Sequence, residues 1–380
     1  MELVRNEDQE LIAKTAADFV KEKSPIARVR ELRDTKDPLG YSAALWKEMA
    51  ELGWLGIPFP EELGGAGLGF AELAVVLEEL GRTLAPEPFL SSVLLAGQAL
   101  LLAEDPAKAK AWIPRICKGE AILALAQQEA GSRYTLSAVE TRAEKAGAGY
   151  RLTGEKIQVL DGHVADALVV VARTSGEARD EHGITLFLVP ADAPGLAIVR
   201  QSRVDGRNAA LVSLEGARVP ADAALGPVDG GHGLLARAVD RATVGLAAEM
   251  LGGMQQAFAL TLDHLKNRRQ FEAPIGSFQA LKHRAANVFI ELELAKSAVM
   301  AAARAVDAGA PDQEKLVSLA KARCSDAYVL TANEGVQMFG GVGMTDEYDI
   351  GFYMKRARAA ELTFGDAAFH RARWASLSGY

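Results

Sequence analysis

The 380-residue sequence contains only two cysteines, Cys117 and Cys324, and no CxxC pair. This scarcity argues against a disulfide framework and against a structural zinc site, and it is typical of a reducing cytoplasm. The six histidines never take a metal-site spacing such as HExxH. We therefore expect a protein whose chemistry needs no metal ion.

An excess of positive charge and a long apolar run are also missing. The formal net charge is −8, and nucleic-acid binding needs a basic face, so this class of function is excluded. No apolar run approaches the roughly 18–20 residues that a membrane-spanning helix needs. The N-terminal MELVRNEDQELI is acidic and lacks the apolar core of a signal peptide. We expect a cytoplasmic protein without a membrane span.

The periodicity of the sequence changes twice along the chain. It is helical to about residue 120, with breaks at Pro58–Pro60, Gly64–Gly65 and Pro86–Pro88. Short β-branched segments separated by Gly, Asp and Pro follow, as in an antiparallel sheet, and long helical stretches return from about residue 232. We predict an α+β protein with an N-terminal helical domain over 1–120, a central antiparallel β domain over 121–228 and a C-terminal four-helix bundle over 229–380.

The predicted elements can be given individually. The strands are AILALAQQ, GYRLTGEKIQV, ADALVVVART, GITLFLVP and AALVSLEGARVP. The C-terminal helices are predicted over 234–266, 279–308, 312–338 and 346–376.

Two stretches of the C-terminal half carry residue types that suit a dinucleotide. One is RRQFEAPIGSFQ, residues 268–279, and the other is QMFGGVGMT, residues 337–345, followed by Glu347 and Tyr348. An arginine offers a fixed fork of donors to a pyrophosphate, a glutamine offers an amide, and glycines let the backbone approach a ligand closely. The structural alternative is an arginine that pairs on a helix and a glycine loop that merely turns.

These stretches, together with GWLGIP at 53–58 and ELGGAG at 62–67, resemble the acyl-CoA dehydrogenase family. The first is close to the family pattern R-x-QFG-x-PI-x-x-FQ, and the second to Q-x-x-GG-x-G-x-T-x-EY. The resemblance covers nearly the whole chain. It implies the three-domain fold, FAD as cofactor, an acyl-CoA substrate and an electron-transfer flavoprotein as electron acceptor.

The resemblance also implies an assembly. In the family the two C-terminal motifs contact an FAD that is held mainly by a neighbouring subunit, so a homo- or hetero-oligomer, dimer or tetramer, is expected. The residues assigned to FAD in this way are Arg268, Gln270, Phe271, Gln279, Gln337, Gly340, Gly341 and Gly343.

The β segment departs from the family pattern at two places. Where the family has E-P-G-x-G-S-D, this chain has EAGSRY from Glu129, and where the family has K-x-W-I-T-N-G, it has KIQVLDG from Lys156. Gln158 therefore replaces the tryptophan that packs on the flavin ring. Leu160 replaces the threonine whose hydroxyl reaches the reactive flavin nitrogen, and an aliphatic side chain cannot donate that bond. The resemblance thus implies an impaired ring seat in this chain's own β domain.

Removal of the α-proton of an acyl thioester needs a carboxylate in a dry pocket. Most of the family places a Glu directly before a Gly in the last helical region, and alignment through Gly365 puts Phe364 at that position. Asp366 lies one residue past the glycine and would need a local rearrangement, since one residue turns a helical side chain by about 100°. A capping or surface carboxylate near Arg358 or Arg371 is the alternative for Asp366, and we favour it.

Other members of the family carry the base on a different helix, directly before an arginine, and Asp240-Arg241 matches this dipeptide. Positions 240, 244, 247, 251, 254 and 258 are Asp, Val, Ala, Leu, Met and Phe, a spacing that places Asp240 on an apolar helical stripe. A carboxylate there costs several kcal/mol unless it is paired or functional. A structural ion pair with Arg237 or Arg241 remains the alternative, but Asp240 ranks above Asp366 as the predicted base.

Two functions of different classes follow. The first is FAD-dependent α,β-dehydrogenation of an acyl-CoA, with Asp240 as base and an electron-transfer flavoprotein as acceptor. The second is the non-catalytic, structural subunit of a heteromeric dehydrogenase, which lends Arg268 and Gln337 to a partner's FAD. The changes at Gln158, Leu160 and Phe364 favour the second function. A scaffold without flavin would leave the two C-terminal motifs unexplained.

Overall fold

The computed structural model describes residues 3–380, and the chain changes there from helices to a sheet and back to helices, as predicted. Side chains cap the start of some of these helices: Asn6 accepts the Gln9 N–H and Asp105 accepts the Lys108 N–H. No helix within residues 3–380 is long and apolar enough to cross a membrane. The helices before the sheet are α1 (Glu7–Lys23), α2 (Ile26–Asp34), α3 (Ala43–Glu51), α4 (Phe70–Arg82), α5 (Gly97–Leu102) and α6 (Pro106–Cys117), and those after it are α7 (His232–Asn267), α8 (Gln279–Asp307), α9 (Gln313–Phe339), α10 (Ile350–Leu362) and α11 (Ala367–Leu377).

One sheet contains eight strands in the order β6-β7-β3-β2-β4-β5-β8, with β1 beside β4. Its pairs are antiparallel, as predicted, except that β1 runs parallel to β4 and β2 meets β4 in one parallel pair. Both β1 and β4 are buried throughout, which explains their continuous apolar sequences. The strands are β1 (Leu123–Ala126), β2 (Arg142–Ala146), β3 (Gly149–Leu160), β4 (Ala167–Arg173), β5 (Ile184–Pro190), β6 (Leu196–Ser202), β7 (Asn208–Pro220) and β8 (Ala224–Leu225).

Three strands of this sheet, β2, β6 and β8, are absent from the predicted segments. The sequences of β2 and β6, RAEKA and LAIVRQS, are mostly exposed and carry charged or polar residues. Strand β8 has only two residues. An exposed strand is held by its backbone pairing, which leaves little trace in the order of apolar side chains.

The chain divides into two compact units by its internal contacts. The sheet unit comprises residues 36–68 and 86–242, and the helical unit comprises the residues up to 35, 69–85 and 243–380. The helices of the first 120 residues are shared between them, because α1, α2 and α4 belong to the helical unit and α3, α5 and α6 to the sheet unit. The division of the chain into three domains stays a prediction.

In the helical unit, α4 and α7 touch through glycines. A Cβ added to Gly81 would lie 2.1 Å from the Glu249 carbonyl oxygen, and one added to Gly252 would lie 1.7 Å from the Glu78 carbonyl oxygen. No side chain fits at either position, so the glycines permit a close crossing that outweighs their cost of about 1 kcal/mol each in a helix. Asp307, at the end of α8, accepts the first N–H groups of α4.

The prediction of one continuous helical stretch over 346–376 is wrong. Helix α10 ends at Leu362 and α11 begins at Ala367. Between them Phe364 (φ 60°) and Gly365 (φ 115°) have left-handed backbone, which a right-handed helix cannot contain. The last part of the predicted bundle therefore consists of two shorter helices joined by a tight turn.

Candidate functional site

The two C-terminal motifs are brought together in the helical unit because the ends of three helices pack on one another. Leu265 near the end of α7, Ala285 in the first turns of α8 and Met338 at the end of α9 form one buried cluster. Burial of these apolar side chains is worth about 25 cal/mol per Å², and it fixes the chain segments that leave the helices. Partly buried residues packed on the cluster are Phe258, Leu262, Ile275 and Leu281.

An aromatic group extends this packing towards the end of the second motif. The ring of His264 stacks on Phe339 with a centroid distance of 4.1 Å, and Tyr348 meets Phe339 edge-on at 5.6 Å. Such pairs add about 0.5–1.5 kcal/mol to the burial of their surface. The sequence motifs give no hint of His264, which lies four residues before Arg268.

We call the exposed polar and glycine surface beside this cluster the dinucleotide edge. It comprises seven of the eight residues that the sequence assigns to FAD, and all seven are exposed: Arg268, Gln270, Phe271, Gln279, Gln337, Gly340 and Gly341. Exposed donors of this kind remain available to a ligand or to a neighbouring chain.

Part of the edge is a small hairpin of β9 (Arg269–Gln270) and β10 (Ala273–Pro274). Its two turn residues, Phe271 (φ 54°) and Glu272 (φ 63°), both have left-handed backbone, as in a type I′ turn. The pattern R-x-QFG has glycine where this chain has Glu272, so the turn persists here without its preferred residue. Phe271 at its tip is 89% exposed.

The glycines of the second motif differ in what surrounds them. An added Cβ at Gly340 or Gly341 would meet nothing within 4 Å, so a ligand can reach the backbone there. An added Cβ at Gly343 would lie 2.7 Å from the Val336 carbonyl oxygen, so this buried glycine serves packing. Donors beside open backbone fit the dinucleotide part of FAD.

The sheet residues at the positions of the family's flavin-ring seat do not fit that ring. Gln158 is exposed and lies in a bulge of β3 opposite β7, where its backbone is left-handed at φ 54°. It offers no aromatic face. Leu160 is half-buried and has no hydroxyl to donate. This chain's sheet therefore lacks the aromatic ring and the hydroxyl that the family pattern has at these two positions.

The buried residues of the same segments are intact and form an ion pair. Lys156 Nζ lies 2.6 Å from Glu129 Oε1, and Thr141 donates to that oxygen through its N–H and its hydroxyl. Burial lowers the pKa of Lys156 to about 8, which still leaves the amine protonated at neutral pH. The pair ties the β1–β2 connection to β3 and supports the fold.

Asp161 is a buried carboxyl that the sequence analysis does not identify as a candidate. Ser91 Oγ donates to its Oδ2 at 2.6 Å, and burial raises its pKa above the ordinary value. Burial also raises the pKa of Tyr41, with Asp161 as the next contribution. The sequence feature that could have identified Asp161 is that the family pattern K-x-W-I-T-N-G has asparagine at this position.

Asp240, the favoured base, lies on α7 in the part that belongs to the sheet unit. It is half-buried, and the following stripe positions 244, 247, 251 and 254 are buried, so the predicted stripe exists and Asp240 lies at its end. The neighbouring Arg241 donates to the oxygen of buried Gln98 at 2.6 Å. This bond fixes the direction of the arginine next to the candidate base.

Asp366, the second candidate, is the N-cap of α11 and belongs to the helical unit. Its Oδ1 accepts the Phe369 N–H at 2.8 Å. The capping alternative therefore describes its position, and such a cap contributes about 1 kcal/mol. The two candidate bases lie in different compact units.

The turn before Asp366 is fixed by two buried groups. Lys321, which is fully buried, donates to the carbonyl oxygens of Gly365 at 2.7 Å and Glu361 at 2.9 Å. The ring Nε2 of buried His370 lies 3.1 Å from the Phe364 carbonyl oxygen. Phe364 thus has a left-handed backbone that these contacts hold in place, at the position where most of the family has glutamate.

Family models for acyl-CoA dehydrogenases match three consecutive parts of the chain. The N-terminal domain model matches residues 6–120, the middle domain model residues 123–215 and the C-terminal domain model residues 229–376. The human mitochondrial short-chain specific acyl-CoA dehydrogenase is 30% identical over 372 residues, which cover 96% of this chain and 88% of that protein.

Solved structures agree with the family models. Butyryl-CoA dehydrogenase from Megasphaera elsdenii is 25% identical with a TM-score of 0.92, and all of both chains is covered. A chain of the ChsE4–ChsE5 complex from Mycobacterium tuberculosis is 29% identical with a TM-score of 0.89 and covers 100% of this chain and 99% of that chain. By these matches the protein is an enzyme of the acyl-CoA dehydrogenase family, a family of FAD-dependent oxidoreductases.

Proposed function

We propose that this chain takes part in the FAD-dependent α,β-dehydrogenation of an acyl-CoA thioester, with electrons passing on to an electron-transfer flavoprotein. The observation that supports this most is the dinucleotide edge, where exposed Arg268 and Gln337 flank open backbone at Gly340 and Gly341. FAD, when bound, supplies the acceptor for the hydride. The charge and donors of the edge serve to hold the pyrophosphate of the dinucleotide.

Asp240 is the residue that we propose as the base for the α-proton. It is half-buried at the end of an apolar stripe, a setting in which a carboxylate is partly shielded from water. Asp366 is the weaker candidate because its carboxylate accepts a backbone N–H and caps α11. Proton abstraction by Asp366 would compete with this cap.

The composition of the ring seat favours a second candidate function, the non-catalytic subunit of a heteromeric acyl-CoA dehydrogenase. Gln158 and Leu160 cannot seat the flavin ring, and Phe364 cannot act as a base. A partner with an intact β domain would supply the seat, and this chain would close over the dinucleotide. That one relative was solved as a complex of two named chains is consistent with such an assembly.

Flavin stoichiometry separates the two candidates. The chain is purified alone and together with its co-expressed genomic neighbour, and FAD is titrated into each sample. Loss of ring stacking and of one hydrogen bond should weaken binding by the lone chain by roughly tenfold or more. We expect about one tightly held flavin per pair of unlike chains. A yellow homo-oligomer with one flavin per subunit and acyl-CoA turnover would refute the heteromer, and absence of FAD from every assembly would refute both functions.

The assignment of the base is tested by two matched carboxylate variants. Asp240→Asn should keep the fold and the bound flavin but abolish bleaching of the flavin by acyl-CoA. Asp366→Asn retains a side-chain oxygen for the cap of α11, so bleaching should remain largely intact. The reverse pattern would make Asp366 the base, and normal bleaching in both variants would exclude both residues as the base.

A further inference from the structure

The segment that follows the glycine turn of the dinucleotide edge has no regular secondary structure. Residues 345–349, which we call the 345–349 loop, connect the 3₁₀ turn Gly340–Met344 to α10. Thr345 is bonded back to that turn, because its N–H and its hydroxyl both donate to the Val342 carbonyl oxygen. The position of the loop and that of the glycine turn are therefore linked.

Two arginines of α2 hold the loop. Arg33 binds the Asp346 carboxylate with both terminal nitrogens, each at 2.7 Å. Arg30 donates to Asp346 Oδ2 at 2.9 Å, to the Asp346 main-chain carbonyl and to Asp349 Oδ1 at 2.9 Å. The hydrogen bonds of Arg33 lower the pKa of Asp346 to about 2, so the loop keeps this negative charge throughout the physiological range.

The arginines are themselves fixed by an aromatic platform. Their guanidinium carbons lie 4.8 Å (Arg30) and 4.9 Å (Arg33) from the ring centroid of Phe352, a buried residue of α10. A cation that rests on a ring face and is bound bidentately loses little further freedom when it holds a carboxylate. The platform lies three residues beyond Asp349, so the loop is clamped between α2 and α10.

The main effect of these contacts is to fix the position of the 345–349 loop. The Asp346 side chain is 62% exposed, and exposed ion pairs contribute little to the stability of a fold. Yet the arginines bind two carboxylates and one main-chain carbonyl of a five-residue segment that has neither helix nor strand to order it. Contacts of this kind select one conformation of a loop at small cost to the rest of the molecule.

We propose that Arg30 and Arg33 are positioning residues for the dinucleotide edge. By fixing the 345–349 loop they hold the Gly340–Met344 turn in the conformation that approaches the dinucleotide. This role rests on the proposed function, because it presumes that the edge meets FAD. Arg30 and Arg33 do not belong to either C-terminal motif and lie more than 300 residues from the loop in sequence.

The test compares Arg30→Ala and Arg33→Ala with the unaltered protein, each in the FAD-binding assembly that the titration identifies. Amide hydrogen exchange over residues 340–349 should become faster in both variants. FAD should dissociate about fivefold faster, the size expected for one partly exposed charge pair. The matched control is Arg371→Ala, which breaks the exposed pair with Asp326 elsewhere in the helical unit and should change neither quantity.

The double variant Arg33→Ala with Asp346→Ala should lose less protection and less flavin retention than the sum of the two single variants, a coupling that independent losses of stability would not produce. Unchanged exchange and unchanged FAD dissociation in both alanine variants would overturn the proposal. The exchange measurement needs no flavin. If the unaltered protein binds no FAD in any assembly, both the proposed function and the role of the edge are refuted. If Arg268→Ala loses FAD but the Arg30 and Arg33 variants do not, only the positioning role is overturned.

Discussion

The proposed flavin seat of the sheet unit and the dinucleotide edge of the helical unit differ in how far their residues match the family patterns. In the sheet the buried ion pair of Glu129 and Lys156 is present, while Gln158 replaces the ring-packing residue. At the edge both the buried cluster around Leu265 and the exposed Arg268 are present. In the sheet the buried supporting residues match the family pattern while the residues expected at the flavin ring differ from it, whereas at the edge both kinds match.

Left-handed backbone occurs at three positions where this chain differs from the family patterns. Gln158 (φ 54°), Glu272 (φ 63°) and Phe364 (φ 60°) differ from the family patterns, and all three have left-handed backbone. Each such residue costs roughly 1–2 kcal/mol unless it is glycine. The surroundings maintain the conformation, as the bond from Lys321 to the Gly365 carbonyl shows at the third position.

The largest effect should come from breaking the ion pair under the altered seat. Glu129→Gln leaves the Lys156 ammonium buried without its counter-charge and should destabilise the protein by about 3–5 kcal/mol. Urea unfolding measures the loss. In the control, Glu129→Gln with Lys156→Met, neither charge is left buried, so most of the stability should return. Equal losses in the single and the double variant would show that the pair is not what holds this region.

The same pair predicts a pH dependence. Burial alone would raise the pKa of Glu129, but the attraction of Lys156 outweighs it and lowers the pKa. A lowered carboxyl pKa in the folded state contributes stability above the ordinary value near 4.5 and loses it as the pH falls through the folded value. This acid loss should be absent from Glu129→Gln, which can be followed by melting temperature between neutral and acidic pH.

Substitution at the dinucleotide edge should weaken FAD binding without changing the stability of the fold. Arg268→Ala removes a charge-assisted contact worth roughly 1.5–3 kcal/mol, so the assembled oligomer should retain much less FAD. Its urea midpoint should stay unchanged because Arg268 is exposed. Lys266→Ala, an exposed cation two residues earlier, is the control. Unchanged FAD content in Arg268→Ala would count against the edge as a flavin contact.

The difference between the two regions can also be reduced by giving the sheet the side chains that the family pattern has at the flavin ring. Gln158→Trp with Leu160→Thr should strengthen FAD binding by the lone chain by about tenfold, since stacking and one hydrogen bond are each worth about 1 kcal/mol. Fluorescence titration of FAD measures the gain. The double alanine variant at the same positions should gain nothing. If the restored side chains do not help, the seat is closed by a further change, with buried Asp161 as the nearest candidate.

The sequence predicts features that depend on residues close together in the chain, and it misses those that depend on distant residues. Helix and sheet zones can be predicted because apolar spacing is local. The exposed residues of the edge can be picked out because they lie in two short motifs, and their contact with FAD stays a prediction. The turn at Phe364 could not be predicted, since a bulky aromatic gives no sign of left-handed backbone. The partners of Asp161 and Asp346 could not be predicted either, because they lie 70 and more than 300 residues away in sequence and only folding brings them together.

The smallest effect concerns the one position of the edge that departs from its pattern. Glu272 is the second turn residue of the β9–β10 hairpin, where a type I′ turn prefers glycine. Glu272→Gly removes the left-handed penalty but gives the unfolded chain more freedom, so the net gain in stability should be about 0.5–1 kcal/mol. Glu272→Ala keeps the penalty and should gain nothing. Urea midpoints of the two variants measure the difference.

Gln158→Gly provides the matching change in the sheet unit, at nearly the same φ. If both glycine variants gain stability by similar amounts, the left-handed backbone is a cost in both regions and is imposed by the surrounding fold. If Gln158→Gly gains and Glu272→Gly does not, the Glu272 side chain stabilises the hairpin by contacts of its own. Glu272 would then be a residue that supports the edge, whereas Gln158 would carry only the cost of its backbone conformation.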